Sequence, residues 1–224
     1  MKPTTTLACA IALLLIFNAC KKEKDETPAP ATPATITYDN YSNLTIGNYW
    51  IYQNYYLDTV GNVSSVGDID SCYVEKDSVL NGHTYKKMLD FTFSSPSFPS
   101  VSFYLLRDSL SYTVDMWGKV LFSSTDFSST FNFHYWIDIP LDTFAVVHSH
   151  MLPVMESKVV PAGFFNTLDY RTTYDLYPHY AIVNQSLYAY SWYAKNIGLV
   201  AKRDPLSYWG RTSEERRLIR SYLN

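Results

Sequence analysis

The sequence predicts an all-β fold, an antiparallel meander that forms a strongly curved open barrel or a sandwich with little helix. Tyrosine and phenylalanine account for 20 and 12 of its 224 residues, and aromatic residues favour pleated sheet. Apolar and polar residues alternate in short runs that recur roughly every ten residues and are separated by turn residues. No long stretch with helical spacing interrupts these runs, so a meander of hairpins is the expected topology.

The individual strands follow from this alternation. It predicts strands at 48–57, 71–80, 83–93, 101–107, 110–116, 119–123, 131–137, 144–148, 154–160, 164–174, 187–195 and 199–203. The clearest hairpin has Asn81-Gly82 at its tip, because this dipeptide adopts the positive φ angles that a type I′ turn requires. Residues 64–68 are polar and are predicted to form a loop.

The last segment fits two structures. Thr212-Ser213-Glu214-Glu215 resembles the capping box that begins a helix. Leu218, Arg220 and Tyr222, however, alternate with Ile219, Ser221 and Leu223 as they would in a strand. We favour a closing strand over a helix, because the alternation continues to the end of the segment.

The N-terminal segment predicts an export signal. Met1-Lys2 precede a short apolar run, 7–17, which ends at Asn18. A helix rises about 1.5 Å per residue, so this run is too short to cross a hydrocarbon core of about 30 Å. A positive start, a short apolar run and a small residue before the cleavage point are typical of a signal peptide. We therefore assign residues 1–19 to a signal peptide.

Cys20 is the residue that defines the kind of signal. Phe17-Asn18-Ala19-Cys20 resembles the lipobox of bacterial lipoproteins, in the loose form found in Bacteroidetes. The resemblance implies that the Cys20 sulfur carries a diacylglycerol and that the processed chain begins there. Two or three acyl chains anchor a protein durably to a membrane. We therefore expect the membrane to be a partner through this lipid anchor.

Residues 20–37 are predicted to be a lipidated cysteine followed by a disordered charged and proline-rich tether. By family resemblance, Lys21 in place of an aspartate favours the outer membrane, on its periplasmic or extracellular face. The charged run 21–26 resembles the export tag of Bacteroidetes surface lipoproteins, and a plain solvated spacer is equally compatible. Three prolines in 27–35 favour an extended linker. Residues 38–224 are then expected to form a single all-β domain.

Composition excludes some classes of function. The formal net charge is −3 and no basic stripe runs along the predicted domain, so nucleic acid is not an expected partner. Besides Cys20, the predicted mature chain contains only Cys72, so an internal disulfide is excluded. Cys72 lies in a strand-like run without an adjacent histidine, which predicts a buried structural thiol.

Three short motifs in the body of the chain resemble a layout that recurs in uncharacterised bacterial lipoproteins. They are Gly47-Asn48-Tyr49-Trp50-Ile51-Tyr52, the run 159–167 around Pro161-Ala162-Gly163, and the run 192–200 around Asn196-Ile197-Gly198. Proline and glycine in the second motif, and Asn196 and Gly198 in the third, suit tight connections between strands. The resemblance implies a fold and a location and does not imply a reaction.

Few residues are candidates for a site. Tyr188, Tyr190 and Trp192 form an aromatic row on one strand face, which either faces a ligand such as a sugar ring or belongs to the core. His148 and His150 would supply half of a metal site, but no third ligand is evident and no metal is expected. Ser149 is not part of a serine-nucleophile motif. We interpret Asp68 and Asp70 as turn residues and not as a pair of catalytic carboxylates.

These patterns lead to one preferred hypothesis and two alternatives. The preferred hypothesis is a non-catalytic, lipid-anchored envelope protein that binds a ligand or partner, such as a glycan, a lipid or an envelope protein. No catalytic residue and no cofactor are assigned. A structural or envelope-assembly protein is the first alternative. A hydrolase with a cryptic site is less favoured.

Overall fold

Twelve strands build the structure, a computed structural model that describes residues 37–58, 60–92, 100–138, 142–177, 186–205 and 213–224. The described residues belong to one unit, Thr37–Asn224. The strands are β1 Tyr49–Leu57, β2 Val63–Leu80, β3 His83–Thr92, β4 Ser100–Ser109, β5 Tyr112–Asp115, β6 Val120–Ser123, β7 Phe131–Asp138, β8 Asp142–Val160, β9 Gly163–Leu176, β10 Leu187–Ala194, β11 Gly198–Pro205 and β12 Ser213–Tyr222. The predicted signal peptide, Cys20 and the tether up to residue 36 lie outside the described residues.

All twelve strands form one antiparallel meander, in the order β6-β5-β4-β3-β2-β1-β12-β11-β10-β9-β8-β7. The first strand pairs with the last, from Tyr49 opposite Tyr222 to Leu57 opposite Ser213. This pairing curls the sheet into a nearly closed barrel with one unsealed seam, between β6 and β7. The predicted all-β meander and open barrel are confirmed, and the described residues contain no helix.

The predicted turns place several residues at left-handed φ angles. Asn81 and Gly82 have φ of 50° and 76°, which confirms the Asn-Gly hairpin between β2 and β3. Asn196 and Gly198 have φ of 63° and 101° at the β10–β11 connection. Gly198 is also needed for space, because a Cβ there would lie 3.3 Å from Trp50 Nε1 and 3.4 Å from the Ser42 carbonyl oxygen.

Three sequence-based expectations need correction, and one is confirmed. Residues 64–68 continue β2, because Ser64 and Ser65 pair with Tyr56 and Tyr55 of β1. The predicted strands 144–148 and 154–160 are one strand, β8, which passes through an irregularity between Met151 and Met155. The predicted strand 110–116 is shorter, because Leu110, with φ of 58°, lies in the turn before β5. The closing strand favoured for the last segment is confirmed, since β12 pairs with both β1 and β11, and the helical alternative is excluded.

Residues 37–48 close one end of the barrel. Asn43 donates from Nδ2 to the Asn196 carbonyl over 2.8 Å, and the Asn196 N–H donates to the Asn40 carbonyl over 2.6 Å. Asn48 is fully buried and donates from Nδ2 to the Asn43 carbonyl. Tyr41 and Leu44 of this segment are buried. The barrel is therefore a cup with its floor at this end.

No helix in the part of the chain that the structure describes is long and apolar enough to span a membrane.

Candidate functional site: the barrel cavity

The interior of the barrel encloses a cavity of about 480 Å³. Its volume is in the usual range for small-molecule sites, about 300–1,000 Å³. Its walls are mainly aromatic and aliphatic with hydroxyl groups between them. The aromatic side chains that line it are Trp50, Tyr52, Tyr104, Trp136, Tyr170, Tyr174 and Tyr193.

Aromatic rings next to the closed end are fixed by hydrogen bonds to the β10–β11 connection and β11. Trp50 donates from Nε1 to the Ile197 carbonyl over 2.7 Å, and Tyr52 donates from its hydroxyl to the Leu199 carbonyl over 2.9 Å. Burial raises the pKa of Tyr52 well above its ordinary value, so this hydroxyl stays protonated. These two rings form a rigid apolar surface that a ligand would contact.

Arg216 lies on the cavity wall and forms two hydrogen bonds with one carboxylate. Its Nη1 and Nη2 donate to Asp90 over 3.1 and 2.7 Å, while its Nε lies 3.4 Å from Asp70. Its guanidinium also covers the ring of Tyr52, 4.4 Å from the centroid. Burial alone would lower the pKa of Arg216, but the bonds to Asp90 and its charge outweigh this and raise it. The Arg216 guanidinium therefore stays charged and is paired with carboxylates in a cluster within the cavity wall.

Asp70 is part of this cluster, which corrects its interpretation as a turn residue. It lies within β2, is buried, and accepts from Asn54 Nδ2 over 2.8 Å. Sequence reasoning missed Arg216 and Asp90 as well. Asp90 follows Met88-Leu89 and precedes Phe91 in a predicted strand. A carboxylate inside such an apolar run is a signal that could have identified it.

Cys72 is buried and free, as predicted. Its sulfur lies 3.1 Å from the Tyr104 hydroxyl on the cavity wall. Burial raises the pKa of the Cys72 thiol to about 11, so the thiolate that would act as a nucleophile is scarce at neutral pH. The geometry supports a packing role for this thiol.

The wall beside the seam is rich in hydroxyl groups. Tyr170 donates from its hydroxyl to the Val120 carbonyl over 2.7 Å and accepts from Asn132 Nδ2 over 2.5 Å. Burial raises the pKa of Tyr170 to about 12. Ser149 shares a hydrogen bond of 2.9 Å with Thr172, so its described partner is a threonine and not a histidine.

The predicted aromatic row of β10 lies on the face opposite to the cavity. Ala189, Ser191 and Tyr193 line the cavity, so Tyr188, Tyr190 and Trp192, which alternate with them, face outward. The rings of Tyr190 and Trp192 stack with centroids 5.4 Å apart, and those of Tyr188 and Tyr190 lie 6.4 Å apart. Trp192 is nevertheless buried in a core cluster, whereas Tyr188 is 43% exposed. The role of this row in binding stays a prediction.

Charged side chains cover part of this row. Lys158 lies over the Trp192 ring, 3.6 Å from its centroid, and pairs with Glu215 over 3.0 Å. Glu215 is fully buried and also accepts from Arg203 and Arg217, each over 2.7 Å. Burial raises the pKa of Glu215, but the Lys158 charge and the arginine bonds outweigh it, and the pKa is lowered.

His148 and His150 have partners other than a metal. His148 pairs through Nε2 with Asp175 over 3.0 Å, and His150 accepts from Arg171 Nη2 over 2.9 Å. Burial, followed by the Arg171 charge, lowers the pKa of His150. Among the described residues, no group of three or more His, Cys, Asp or Glu side chains is arranged to hold a metal ion. His179 lies outside the described residues.

No family model matches the chain, and no curated protein matches it. One similar solved structure is a predicted exported protein with a YmcC-like fold from Bacteroides fragilis, 13% identical, with a TM-score of 0.49 over 82% of this chain and 99% of that one. Another is a predicted lipoprotein from Parabacteroides distasonis, 14% identical, with a TM-score of 0.43 over 84% of this chain and all of that one.

Proposed function

We propose that this protein is a lipid-anchored envelope protein whose barrel binds a small apolar or aromatic molecule without catalysis. The observation that carries the proposal is the cavity of about 480 Å³, whose wall combines aromatic and aliphatic side chains with hydroxyl groups. Sites for small molecules are concave and mostly apolar, with a few fixed polar groups. The rings of Trp50 and Tyr52 supply the apolar surface, and the Arg216 cluster supplies the fixed polar groups.

The chemistry of the cavity supports binding over catalysis. Arg216 is neutralised by Asp90 and Asp70, and Lys202 pairs with Asp204 over 2.6 Å. The raised pKa of Cys72 removes the thiol as a nucleophile. A general acid or base needs a titratable group with a pKa near the working pH, whereas Arg216 and Lys202 are paired and Cys72 stays protonated.

Binding can be tested with the neutral fluorophore N-phenyl-1-naphthylamine, using the full-length chain in phosphatidylcholine nanodiscs with empty discs as the blank. Saturable fluorescence enhancement is expected. Ala189 lines the cavity with a small side chain, so Ala189→Phe should reduce affinity by filling it. Ala162→Phe, the same change at an exposed turn position, is the matched control and should bind as the native chain does.

Outcomes of this titration are easy to separate. Absence of saturable binding to the native chain, or equal binding by both variants, would overturn the cavity proposal. If Ala189→Phe fails to fold, as judged by circular dichroism, Ser191→Leu on the same cavity wall replaces it. Ser191 is half-buried and leaves more room for a larger side chain.

The anchor rests on the N-terminal sequence around Cys20. Metabolic labelling with a fatty-acid probe should label the native chain and leave Cys20→Ser unlabelled. Cys9→Ser, within the apolar run, should retain the label as a matched control. Protease treatment of intact cells then distinguishes the extracellular from the periplasmic face. A native chain without label would contradict the anchor.

An assembly role is the second candidate, and an exposed apolar pair favours it. Val159 and Phe164 are opposite each other in the β8–β9 hairpin, and they are 69% and 65% exposed. Exposed apolar side chains that lie together mark sites of contact with partners. Cross-linking in intact cells should recover a partner with the native chain and lose it with Phe164→Asp.

A further inference from the structure

The barrel wall has a lateral notch next to the seam, bounded by residues 100–105 of β4 and 134–138 of β7. The strands β5 and β6 have only four residues each. β5 pairs with Leu106–Ser109 of β4 and leaves Ser100–Leu105 paired only with β3. Val120, the first residue of β6, is level with Asn132, so His134 and the residues after it extend beyond β6.

The width of the notch follows from the strand count. Two paired interstrand steps, β4–β5 and β5–β6, and the unpaired seam between β6 and β7 separate β4 from β7. Paired strands lie about 4.8 Å apart, so the wall is open over roughly 10 Å plus the width of the seam where β5 and β6 are absent among the described residues. The inner rim consists of Tyr104, His134 and Trp136, all of which line the cavity. The notch is therefore continuous with the cavity.

The outer rim of the notch is aromatic. Phe103 on the β4 side is 59% exposed, and Phe133 and Tyr135 on the β7 side are 60% and 56% exposed. Trp117, in the turn between β5 and β6 at the base of the notch, is 77% exposed. Exposed apolar clusters of this kind mark sites of contact with ligands or partners.

Asp115 fixes the turn at the base. Its Oδ1 accepts from the N–H groups of Trp117 and Lys119, each over 2.9 Å, and its own N–H donates to the Lys119 carbonyl over 3.0 Å. Trp117 and Lys119 are both exposed, and Lys119 also lines the cavity. The turn thus presents a cation at the junction of the notch and the cavity.

Lys119 is a cavity-lining cation without a carboxylate partner among the described residues. The charged residues that line the cavity are Lys119, Lys202, Arg216, Asp90 and Asp204. Asp204 pairs with Lys202, and Asp90 pairs with Arg216. Within the described part of the chain, Lys119 has no carboxylate within salt-bridge distance. The nearby Asp115 carboxylate is buried and directs Oδ1 at backbone N–H groups.

We propose that the notch and the cavity together bind an anionic amphiphile, with its apolar body in the cavity and its acid group at Lys119. This inference rests on the proposed binding function and names its ligand class. The aromatic rim contacts the part of the molecule that spans the wall. A carboxylate and a phosphate monoester share the required chemistry, because either accepts charge-assisted hydrogen bonds from an ammonium group.

Two related fluorophores test the charge requirement in the same nanodiscs. The anionic 8-anilino-1-naphthalenesulfonate and the neutral N-phenyl-1-naphthylamine share an aromatic body. Lys119→Ala should reduce the affinity for the anionic probe about tenfold, the loss expected for one hydrogen bond to a charged group. The affinity for the neutral probe should stay within about twofold of the native value. Lys195→Ala, which removes an exposed lysine paired with Asp39 outside the cavity, should change neither affinity.

A rim substitution tests the notch itself. Phe133→Asp should reduce the affinity for the anionic probe more than that for the neutral probe, because it adds a negative charge beside the proposed acid group. Val159→Asp, at an exposed apolar position in the β8–β9 hairpin, should not. Displacement of the anionic probe by palmitate identifies a carboxylate head group, and displacement by lysophosphatidic acid identifies a phosphate.

The outcomes separate this inference from the proposed function. If neither probe binds saturably, the proposed function fails. If both bind and Ala189→Phe weakens both, but Lys119→Ala and Phe133→Asp show no charge selectivity, the cavity site stands and the acid-group assignment is wrong. Failure of both palmitate and lysophosphatidic acid to displace the anionic probe would overturn the amphiphile class.

Discussion

The side-chain amide of Asn132 forms both hydrogen bonds of a strand pair with the backbone of Val120. Its Nδ2 donates to the Val120 carbonyl over 2.6 Å, and its Oδ1 accepts from the Val120 N–H over 3.1 Å. Asn132 adopts φ of 54°, a left-handed angle that asparagine tolerates. One side chain thus joins β7 to β6 where the backbone ladder is missing.

Replacing this amide should loosen the seam. Asn132→Gly keeps the left-handed backbone and removes the side chain, so it should lower the free energy of unfolding by about 1–3 kcal/mol. Asn196→Gly is the matched control, because Asn196 has φ of 63° and its side chain makes no hydrogen bond to a described residue. The control should stay within about 0.5 kcal/mol of the native value. Urea unfolding measures both, and equal losses would contradict a bridging role.

Arg216→Met should destabilise the barrel strongly. It leaves Asp90 and Asp70 without their cation in a largely buried position, and removing one partner of a buried ion pair costs about 3–5 kcal/mol. Arg220→Met, at an exposed position of the same strand, should have little effect. The triple variant with Asp90→Asn and Asp70→Asn should recover part of the loss in urea unfolding. A triple variant no more stable than Arg216→Met would argue against charge as the cause.

Asp169 should make the protein more stable at mildly acidic pH. Burial raises the pKa of Asp169 to about 6, with the charge of Glu156 adding to the rise and the bond from Thr167 opposing it. An unfolded aspartate has a pKa near 3.9. The stabilising proton is therefore fully present below about pH 4 and lost as the pH rises through 6. Asp169→Asn should exceed the native stability at pH 7 by about 1–2 kcal/mol and lose this advantage by pH 4.

Asp126 should show the opposite pH dependence, which makes it an internal control. Hydrogen bonds from Ser129, together with those from Tyr112 and Ser128, lower the pKa of Asp126 to about 2. Its contribution is present above about pH 4 and is lost as the pH falls towards 2. Asp126→Asn should therefore be less stable than the native protein at pH 7, and the difference should narrow in acid. Unfolding curves at pH 3, 4, 5, 6 and 7 give the free energy of unfolding of both variants relative to the native protein. If this difference changed with pH in the same direction for both, the pKa shifts assigned to Asp169 and Asp126 would be wrong.

Gly198→Ala should cost more stability than a φ penalty alone. A Cβ at Gly198 meets Trp50 Nε1, the group that donates to the Ile197 carbonyl. Gly67→Ala is the matched control, since Gly67 has φ of 82° and a Cβ there would meet no heavy atom within 4 Å. The control should lose about 1–2 kcal/mol and Gly198→Ala more. Thermal unfolding measures the stability of both variants. Equal losses in Gly198→Ala and Gly67→Ala would show that the contact with Trp50 is unimportant.

The fold could be predicted because its signals are local. Asn81-Gly82 specifies its own turn, and the alternation of Leu218, Arg220 and Tyr222 places the last segment in a strand. The boundaries of β2 and β8 could not be predicted, because polar residues such as Ser64 and Ser65 join a strand when a neighbour supplies the hydrogen bonds.

The cavity could not be predicted from the sequence, because it is formed by contacts between residues far apart in the chain. Arg216 meets Asp90 across 126 positions of the chain, and Asp70 resembles a turn residue until β1 and β12 enclose it. The aromatic row of β10 was recognisable, but which of its faces points inward is decided by the register with β9 and β11. Alternation alone defines two faces and does not say which is the inner one.

Pairing of the first strand with the last also determines how the barrel must fold. Tyr49 lies opposite Tyr222, and the Asn224 N–H donates to Asn48 Oδ1 over 2.7 Å. The ring around the cavity cannot close until the final residues of the chain are available, and contacts so distant in sequence are slow to form. Until then β1 keeps an unpaired edge, which is a site for aggregation. Loss of the last dozen residues should therefore impair folding far more than their number suggests.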